Sequence, residues 1–441
     1  MTTEGNLKAP TRHPLVWKSE DFYDEEKLSV EMHRIFEICH GCRRCVNLCT
    51  SFPTLFDLID QGKTGELDDV ERRDYWKVVD QCYLCDMCYM TKCPYVPPHP
   101  WNVDFPHLML RGKAVKYRRG EVALRDKLLS STDAIGKLAA IPVVAQTINA
   151  VNKNGIARTM LEKTLGIAKK RWLPEYSPSR FRATAAAAKS HPVKNGERTP
   201  GKVAIFSTCY INYNEPGIGH DLLKILDHNE IPYVIVEKEA CCGMPKLELG
   251  DLESVERLKN INIPPLAKLA RDGYAIMSGV PSCTLMFKQE LPLMFPDDAD
   301  VQIVRAAMFE PFEYFVLRNR DNLFKTDFKQ SLGGVSYHIP CHSRVQNIGQ
   351  KTRELLQMLP DTQVTTVERC SGHDGTWGVK REYFENSMKI GRPVFKQMAE
   401  GDSNYISSDC AIAARHIEQG MGATKAQRKH PLTLLRIAYG I

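Results

Sequence analysis

Cysteine is the residue type best able to do chemistry in this 441-residue chain: there are 15, unevenly placed. Eight fall in two tight runs, Cys39-His-Gly-Cys-Arg-Arg-Cys-Val-Asn-Leu-Cys49 and Cys82-Tyr-Leu-Cys-Asp-Met-Cys-Tyr-Met-Thr-Lys-Cys93, the second followed by Pro94. After a gap of 115 residues come Cys209, Cys241, Cys242, Cys283, Cys341, Cys370 and Cys410, all but one pair widely spaced. The first run reads Cys-x2-Cys-x2-Cys-x3-Cys, and the second repeats it with one extra residue before its last cysteine. Two consecutive Cys-x2-Cys steps converge three thiolates on one face of an iron-sulfur cubane and send the fourth elsewhere. Zinc is the competing occupant, but a structural zinc site ordinarily takes two separated pairs rather than three cysteines within seven residues.

By the crossed ligation of two-cluster ferredoxins, Cys39, Cys42, Cys45 and Cys93 are expected to hold one 4Fe-4S cluster, and Cys82, Cys85, Cys88 and Cys49 a second. The 32 residues between the runs are more than a compact ferredoxin has. Leu28, Met32, Ile35 and Phe36 share one helical face ahead of the first run, and residues 69–81 also read as a helix, with Val70, Trp76 and Val79 inward. This resembles the helical ferredoxin domain of respiratory iron-sulfur subunits.

The rest of the composition excludes several classes. Hydrophobic residues make up 43% and charged residues 25%, ordinary for a folded chain. No run of about 18 apolar residues exists to cross a membrane. The start, MTTEGNLKAPTRHP, lacks the apolar core of a secretory signal. A cytoplasmic location with reduced thiols is therefore expected, and such thiols point to metal or redox chemistry rather than disulfides. Gly217-Ile-Gly219 lacks the third glycine of a dinucleotide fingerprint, and there is no P-loop or Gly-x-Ser-x-Gly element, so no bound FAD or NAD is expected.

Charge divides the chain. Residues 1–110 hold 12 Lys and Arg against 18 Asp and Glu, residues 111–200 hold 19 against 6, and residues 201–441 hold 28 against 29. The basic groups of the middle segment concentrate in 111–119 and at Lys169, Lys170 and Arg171. They are expected either to be solvated surface or to dock an acidic partner or anionic lipid on the cytoplasmic face of a membrane. No nucleic-acid-binding signature accompanies them. The Pro- and Ala-containing stretch 174–200 reads as a linker.

Beyond it the text alternates short apolar runs with helical stretches, and its two halves can be laid over each other. Val203 leads to Cys209 and Val335 to Cys341, in each case six residues on. A second strand then leads to Cys241-Cys242 or to Cys370, and a third to Cys283 or to Cys410. Alternating elements of this kind predict parallel-sheet α/β units with each cysteine at the C-terminal end of a strand. The fold class expected is α/β, with an N-terminal all-α ferredoxin-like domain and tandem repeated units behind it. The boundaries fall at 1–24 (N-terminal extension), 25–110 (ferredoxin domain), 111–200 (basic helical segment and linker), 201–330 and 331–441 (the two repeats).

A cysteine at a strand end, a Cys-Cys-Gly about thirty residues on and a Ser-Cys about forty residues later resemble the tandem cysteine-rich domain of heterodisulfide reductase. The same domain occurs in iron-sulfur subunits of glycolate oxidase and anaerobic glycerol-3-phosphate dehydrogenase. PSCTLMFKQELP from 281, HIPCHSRVQNIG from 338 and CSGHDGTWGVKREYFENS from 370 are most similar to the glycerol-3-phosphate dehydrogenase branch of that family. The resemblance implies five thiolates per site and, in heterodisulfide reductase, a non-cubane cluster. Here Val280 replaces the fifth cysteine of the first half and Ser371 the paired cysteine of the second. Cys209, Cys241, Cys242 and Cys283 are then expected to hold a third cluster. Cys341, Cys370 and Cys410 form an incomplete fourth site that His342, His373 or Asp374 could complete, or else pack as small apolar residues.

The function expected is an electron-transfer subunit, taking electrons from a flavin-containing dehydrogenase subunit or other redox protein toward quinone or another acceptor. Two rivals stand beside it: a disulfide or persulfide reductase acting at the 209/241/242/283 site, and a non-catalytic metal-binding sensor.

Overall fold

The helix Glu25–Cys42 starts where the Asp24 carboxylate accepts from the Lys27 amide and stops at Arg43, which turns left-handed and donates its own N–H to the Cys39 carbonyl. Leu28, Met32, Ile35 and Phe36 are buried along one face, as their spacing predicts. The helix expected over 69–81 is shorter. Asp69 turns back to accept from the Thr64 amide and hydroxyl, and two single 3-10 turns, Leu67–Asp69 and Arg72–Asp74, precede the helix Tyr75–Gln81. Val70 and Val79 face inward as expected, but Tyr75 and Val78 fill the place given to Trp76, which is half-buried. Two more helices, Ser51–Asp60 and Phe105–Arg118, complete an all-helical N-terminal region. This computed structural model describes residues 10–91 and 93–441; the first nine residues of the expected extension, on which the reading of the N-terminus rests, lie outside it, as does Lys92.

The boundary expected at 110 falls inside the helix Phe105–Arg118, whose Leu108, Met109, Ala114 and Val115 are all buried. The basic run that follows is engaged within the protein. Arg111 donates to the carbonyls of Phe22 and Asp21, while Lys116, Arg118 and Arg119 pair with Asp80, Glu20 and Glu25. Arg171 is buried against His373 and His416. Nor is 174–200 a free tether. Phe181 is fully buried over Gly219, where a Cβ would lie 2.6 Å from the Phe181 ring, so glycine is required for this strap to seat.

Strands β1 (Val203–Ile205), β2 (Tyr233–Ile235), β3 (Ala275–Met277) and β4 (Met308–Phe309) form a parallel sheet in the order β2-β1-β3-β4. Strands β5 (Gly333–His338), β6 (Thr362–Val367), β7 (Tyr405–Ser408) and β8 (Gln427–Arg428) form a second in the equivalent order β6-β5-β7-β8. The registers agree too: Val203 pairs with Tyr233 and Ala275, and Val335 with Val364 and Tyr405. Central β1 and β3 are buried throughout, as apolar strands covered on both faces must be, whereas the Thr-rich edge strand β6 alternates. In this order the chain leaves the first strand to one side and returns on the other, which opens a crevice at the C-terminal strand ends.

Two cores weld these parts. One runs from Phe36, Phe52 and Leu108 of the helical region into Phe206, Val236 and Met286 of the first repeat. The other joins Ile205, Leu222 and Met277 of the first repeat to Val335, Tyr337 and Leu432 of the second. The sequence units therefore share cores instead of each having its own.

Candidate iron-sulfur centres around a shared cavity

Cys39 and Cys42 occupy the last turn of the helix Glu25–Cys42, and Cys45 and Cys49 the loop before the helix Ser51–Asp60. Cys82 ends the helix Tyr75–Gln81, and Cys88 lies in the short helix Met87–Thr91. Between them Cys85 is flanked by Leu84 (φ 50°) and Asp86 (φ 60°), two left-handed residues that turn the chain sharply around its thiol. The thiols acting on Cys39 are Cys93, Cys45 and Cys42, and those acting on Cys88 include Cys85, Cys82 and Cys49. Burial raises Cys39, Cys85 and Cys88 far above the ordinary thiol range, Cys49 to about 12, and Cys82 and Cys93 to about 11. Buried thiols in groups of four become thiolates only against strong positive charge, which iron in a cluster supplies, so the donor set fits 4Fe-4S clusters. Among the described residues, no three Cys, His, Asp or Glu side chains close in tightly enough to hold a single metal ion, as zinc would require.

The first repeat presents its four cysteines from three neighbouring strand ends. After β1, Thr208 adopts φ 62° and caps the turn Cys209–Tyr213, its hydroxyl accepting from the Ile211 amide. After β2, Asn262 holds the Cys241-Cys242 turn, accepting from the Ala240 amide at 2.8 Å and donating to the Cys241 carbonyl at 3.0 Å. Asp133 accepts from the Cys241 amide at 2.5 Å, and the Thr132 hydroxyl donates to its sulfur at 3.3 Å. After β3, Cys283 lies in the helix Pro281–Leu285. Hydrogen bonds link the thiols in a chain from Cys209 through Cys241 and Cys242 to Cys283, and those from Cys209 and Cys242 pull Cys241 well below the usual thiol range.

In the second repeat Cys341, Cys370 and Cys410 follow β5, β6 and β7, and Cys370 and Cys410 are the thiols that act on Cys341. The three residues expected to help them are otherwise engaged. His342 faces the Ser282 hydroxyl at 2.7 Å through Nδ1 and is also hydrogen-bonded to the Leu84 carbonyl. His373 accepts from Arg171 at Nδ1, which leaves its proton on Nε2. Asp374 accepts from the Trp377 amide at 3.1 Å and from Glu248.

The two sets face each other across one cavity of about 260 Å3, lined by all seven of these cysteines and by Cys85 of the helical region. Tyr83 closes the gap between regions: its hydroxyl lies 3.1 Å from the Cys370 sulfur and its ring 5.1 Å from that of Trp377, whose indole donates to the Asp80 carbonyl. Apolar Leu129, Ile135, Leu173, Val280, Val379 and Ile412 complete much of the wall. Sequence reasoning missed Tyr83, Thr132 and Glu248. Tyr83 alone carried a signal, an aromatic inside the second cysteine run.

Residues 203–288 and 335–416 each match the family described as the cysteine-rich domain, CCG. One match falls in each of the two repeats, so both repeats are similar to this domain. Over 340 residues, 76% of this chain and 82% of the relative, it is 28% identical to the C component of anaerobic glycerol-3-phosphate dehydrogenase of Escherichia coli (strain K12). It is 24% identical over 254 residues to the B component of fumarate reductase (CoM/CoB) of Methanothermobacter marburgensis, covering 55% of this chain and 48% of the relative. An uncharacterized iron-sulfur protein of Methanocaldococcus jannaschii is 24% identical over 230 residues, 52% of this chain and 43% of the relative. The resemblance read from the cysteine-rich domains is thus the one found, and the relatives are oxidoreductase subunits or iron-sulfur proteins.

Proposed function

We propose that the chain is an iron-sulfur electron-transfer subunit that carries electrons from a flavin-containing dehydrogenase partner to a quinone bound at the cavity between the cysteine-rich domains. The observation that carries this reading is the shared wall: Cys85 of the ferredoxin-like region and the seven cysteines of both domains line the same cavity. When bound, 4Fe-4S clusters pass electrons one at a time. Cys39, Cys42, Cys45 and Cys93 would hold the outer cluster, Cys49, Cys82, Cys85 and Cys88 the one nearer the cavity, and Cys209, Cys241, Cys242 and Cys283 a third. The protein's part is to bury these thiols, donate to the Cys241 sulfur from Thr132, set Tyr83 and the Gly372 amide against the Cys370 sulfur of the second repeat, and keep the wall apolar.

The surface beside the cavity supports a membrane-dissolved acceptor. Helices Leu124–Leu129, Thr132–Ala139, Pro142–Lys153 and Gly155–Leu165 expose Leu124, Leu138, Ile141, Val143, Ile156 and Met160, with Val143 and Ile156 72% and 77% exposed. Lys137, Lys163, Lys169 and Lys170 stand exposed around them. An apolar face ringed by lysines suits the surface of an anionic bilayer. Among the described residues no single helix is long and apolar enough to cross a membrane; the pair Thr132–Ala139 and Pro142–Lys153 is bent by 108°. Leu129, Thr132 and Ile135 of the same helices line the cavity, so lipid and cavity meet at one wall.

Anaerobic purification with iron, sulfide and zinc analysis, followed by an EPR redox titration and reoxidation by quinone, tests the reading. At least two 4Fe-4S signals and quinone-driven reoxidation are expected. Stoichiometric zinc, or turnover of a disulfide without any of quinone, would replace it with one of the rivals.

A further inference from the structure

A quinone is a flat apolar ring with two carbonyl oxygens that accept hydrogen bonds, so a protein that holds one in a single orientation needs a fixed donor on the cavity wall. Three tyrosines line that wall, Tyr83, Tyr176 and Tyr210. The Tyr83 hydroxyl is engaged with the Cys370 sulfur at 3.1 Å, and Tyr210 donates to the Glu215 carboxylate at 3.1 Å. Among the described residues nothing exchanges a hydrogen bond with the Tyr176 hydroxyl, whose residue bonds only through its backbone. On the same side of the cavity the Thr132 hydroxyl is given to the Cys241 sulfur, and the Thr208 hydroxyl caps the Ile211 amide at 3.2 Å. His373, Ser371 and Thr376 line the opposite wall, that of the second repeat, whose cysteine set is one thiol short of the four in the first.

The backbone around Tyr176 is built to hold its side chain in place. Three consecutive residues of the strap 174–200 are tied down on both sides. The Asn214 side chain donates to the Glu175 carbonyl at 2.8 Å, and the Ser177 amide donates to the Tyr213 carbonyl at 2.7 Å. Between them one side chain, Asn149, takes both backbone groups of Tyr176: it donates to the carbonyl and accepts from the amide, each at 2.9 Å. Asn149 belongs to the helix Pro142–Lys153, which exposes Val143, while Tyr213 and Asn214 end the turn that begins at Cys209. With its backbone spent on Asn149, Tyr176 presents its ring to the cavity, on the Cys209 side. Leu129, Ile135, Leu173 and Pro174 stand around it, dry surroundings in which a hydrogen bond is stronger than in water.

We propose that the Tyr176 hydroxyl donates a hydrogen bond to one carbonyl oxygen of the quinone and so holds its ring against the cysteines of the first repeat; the inference rests on the acceptor reading above. The Tyr176 O–H bond stays intact throughout: quinone, two electrons from the iron-sulfur centres and two protons from water give hydroquinone. The oxygen that Tyr176 bonds gains negative charge as electrons arrive. The same bond therefore strengthens during reduction and raises the rate as well as the affinity. Asn149 is a positioning residue that acts through Tyr176.

The test uses the full chain carrying its clusters, reduced and then mixed with menadione or with ferricyanide, which has no carbonyl to bond. Tyr176→Phe keeps the ring and loses only the hydroxyl. Its reoxidation by low concentrations of menadione is expected to slow by about tenfold, with the half-saturating concentration raised and the limiting rate lowered, while ferricyanide-driven reoxidation stays within about twofold of wild type. Asn149→Ala should slow menadione in the wild-type background but add less than about twofold once Tyr176→Phe is present, because both remove the same contact. In infrared difference spectra with carbonyl-labelled menadione, the wild type should show one carbonyl band at lowered frequency that is missing in Tyr176→Phe. An unchanged menadione rate in Tyr176→Phe, a parallel loss with ferricyanide, fully additive effects of the two substitutions, or the same carbonyl bands in both proteins would overturn the proposal. A wild type whose clusters titrate normally but which menadione never reoxidises would overturn the acceptor reading itself.

Discussion

The Tyr83 hydroxyl lies 3.1 Å from the Cys370 sulfur, although the two residues are 287 apart in sequence and belong to different parts of the fold. It is a direct polar contact between the loop expected to hold the second ferredoxin-type cluster and a cysteine of the second cysteine-rich domain. A hydrogen bond to a cluster sulfur favours the reduced, more negative state. Tyr83→Phe should therefore lower the midpoint potential of a centre held by Cys370 by some tens of millivolts, equivalent to a bond of about 1 kcal/mol. An EPR titration in which every potential matches wild type would show that Cys370 holds no centre.

Bound iron can be apportioned by single substitutions. Cys39→Ala should remove about four irons per chain and leave the signal of the centre on Cys49, Cys82, Cys85 and Cys88. Cys85→Ala should do the reverse. If either change abolished both signals in a protein that still folds, the crossed assignment would be wrong.

The proposed contact with a bilayer rests on the apolar helices rather than on the basic run 111–119. Val143→Asp or Ile156→Asp should each weaken binding to vesicles of anionic lipid by about tenfold or more, the value of burying one such side chain. Raising salt should weaken it further. Arg119→Gln, which removes a charge already paired with Glu25, should leave binding unchanged in a sedimentation assay.

A buried network ties the N-terminal segment to the first cysteine-rich domain. Arg12 bonds Asp86 at 2.5 Å and Asp104 at 2.9 Å, and His107 bridges Asp104 and Glu290 at 3.2 and 3.3 Å. Burial and Arg12 press the His107 pKa down, but Asp104 and Glu290 outweigh them and hold it at about 9. Against an unfolded value of ~6.5, this stabilisation is complete below pH ~6.5 and is lost as pH rises through about 9. Thermal unfolding should show a loss on the order of 3 kcal/mol across that window. His107→Gln should flatten the slope; a slope that survives would assign it to another group.

The local features were legible. Thiol spacing is written in a few consecutive residues, and the matching Val203-to-Cys209 and Val335-to-Cys341 intervals placed cysteines at strand ends, where β1 and β5 put them. The two-residue edge strands β4 and β8 were missed because two residues have no periodicity. Nothing in the spacing of the first run shows that the Arg43 guanidinium pairs with Asp60 or that its N–H caps the preceding helix. Fixing such partners takes the fold, as it does for Arg12 and Glu290, 278 residues apart. The middle segment was weighed by charge alone, which passed over Leu124, Leu138, Val143 and Ile156, apolar residues that the fold leaves exposed.

The segment at 12–17 has a consequence for biogenesis. The Leu15 amide donates to the Leu293 carbonyl at 2.8 Å, and Trp17 packs its ring against Phe295 and donates to the Met294 carbonyl. Nothing emerging first from the ribosome can dock there until about residue 295 has followed it. During that interval both cysteine runs are outside the ribosome while the core they share with the first cysteine-rich domain is unfinished. Iron and sulfide delivered in that interval would meet both runs before that core is complete.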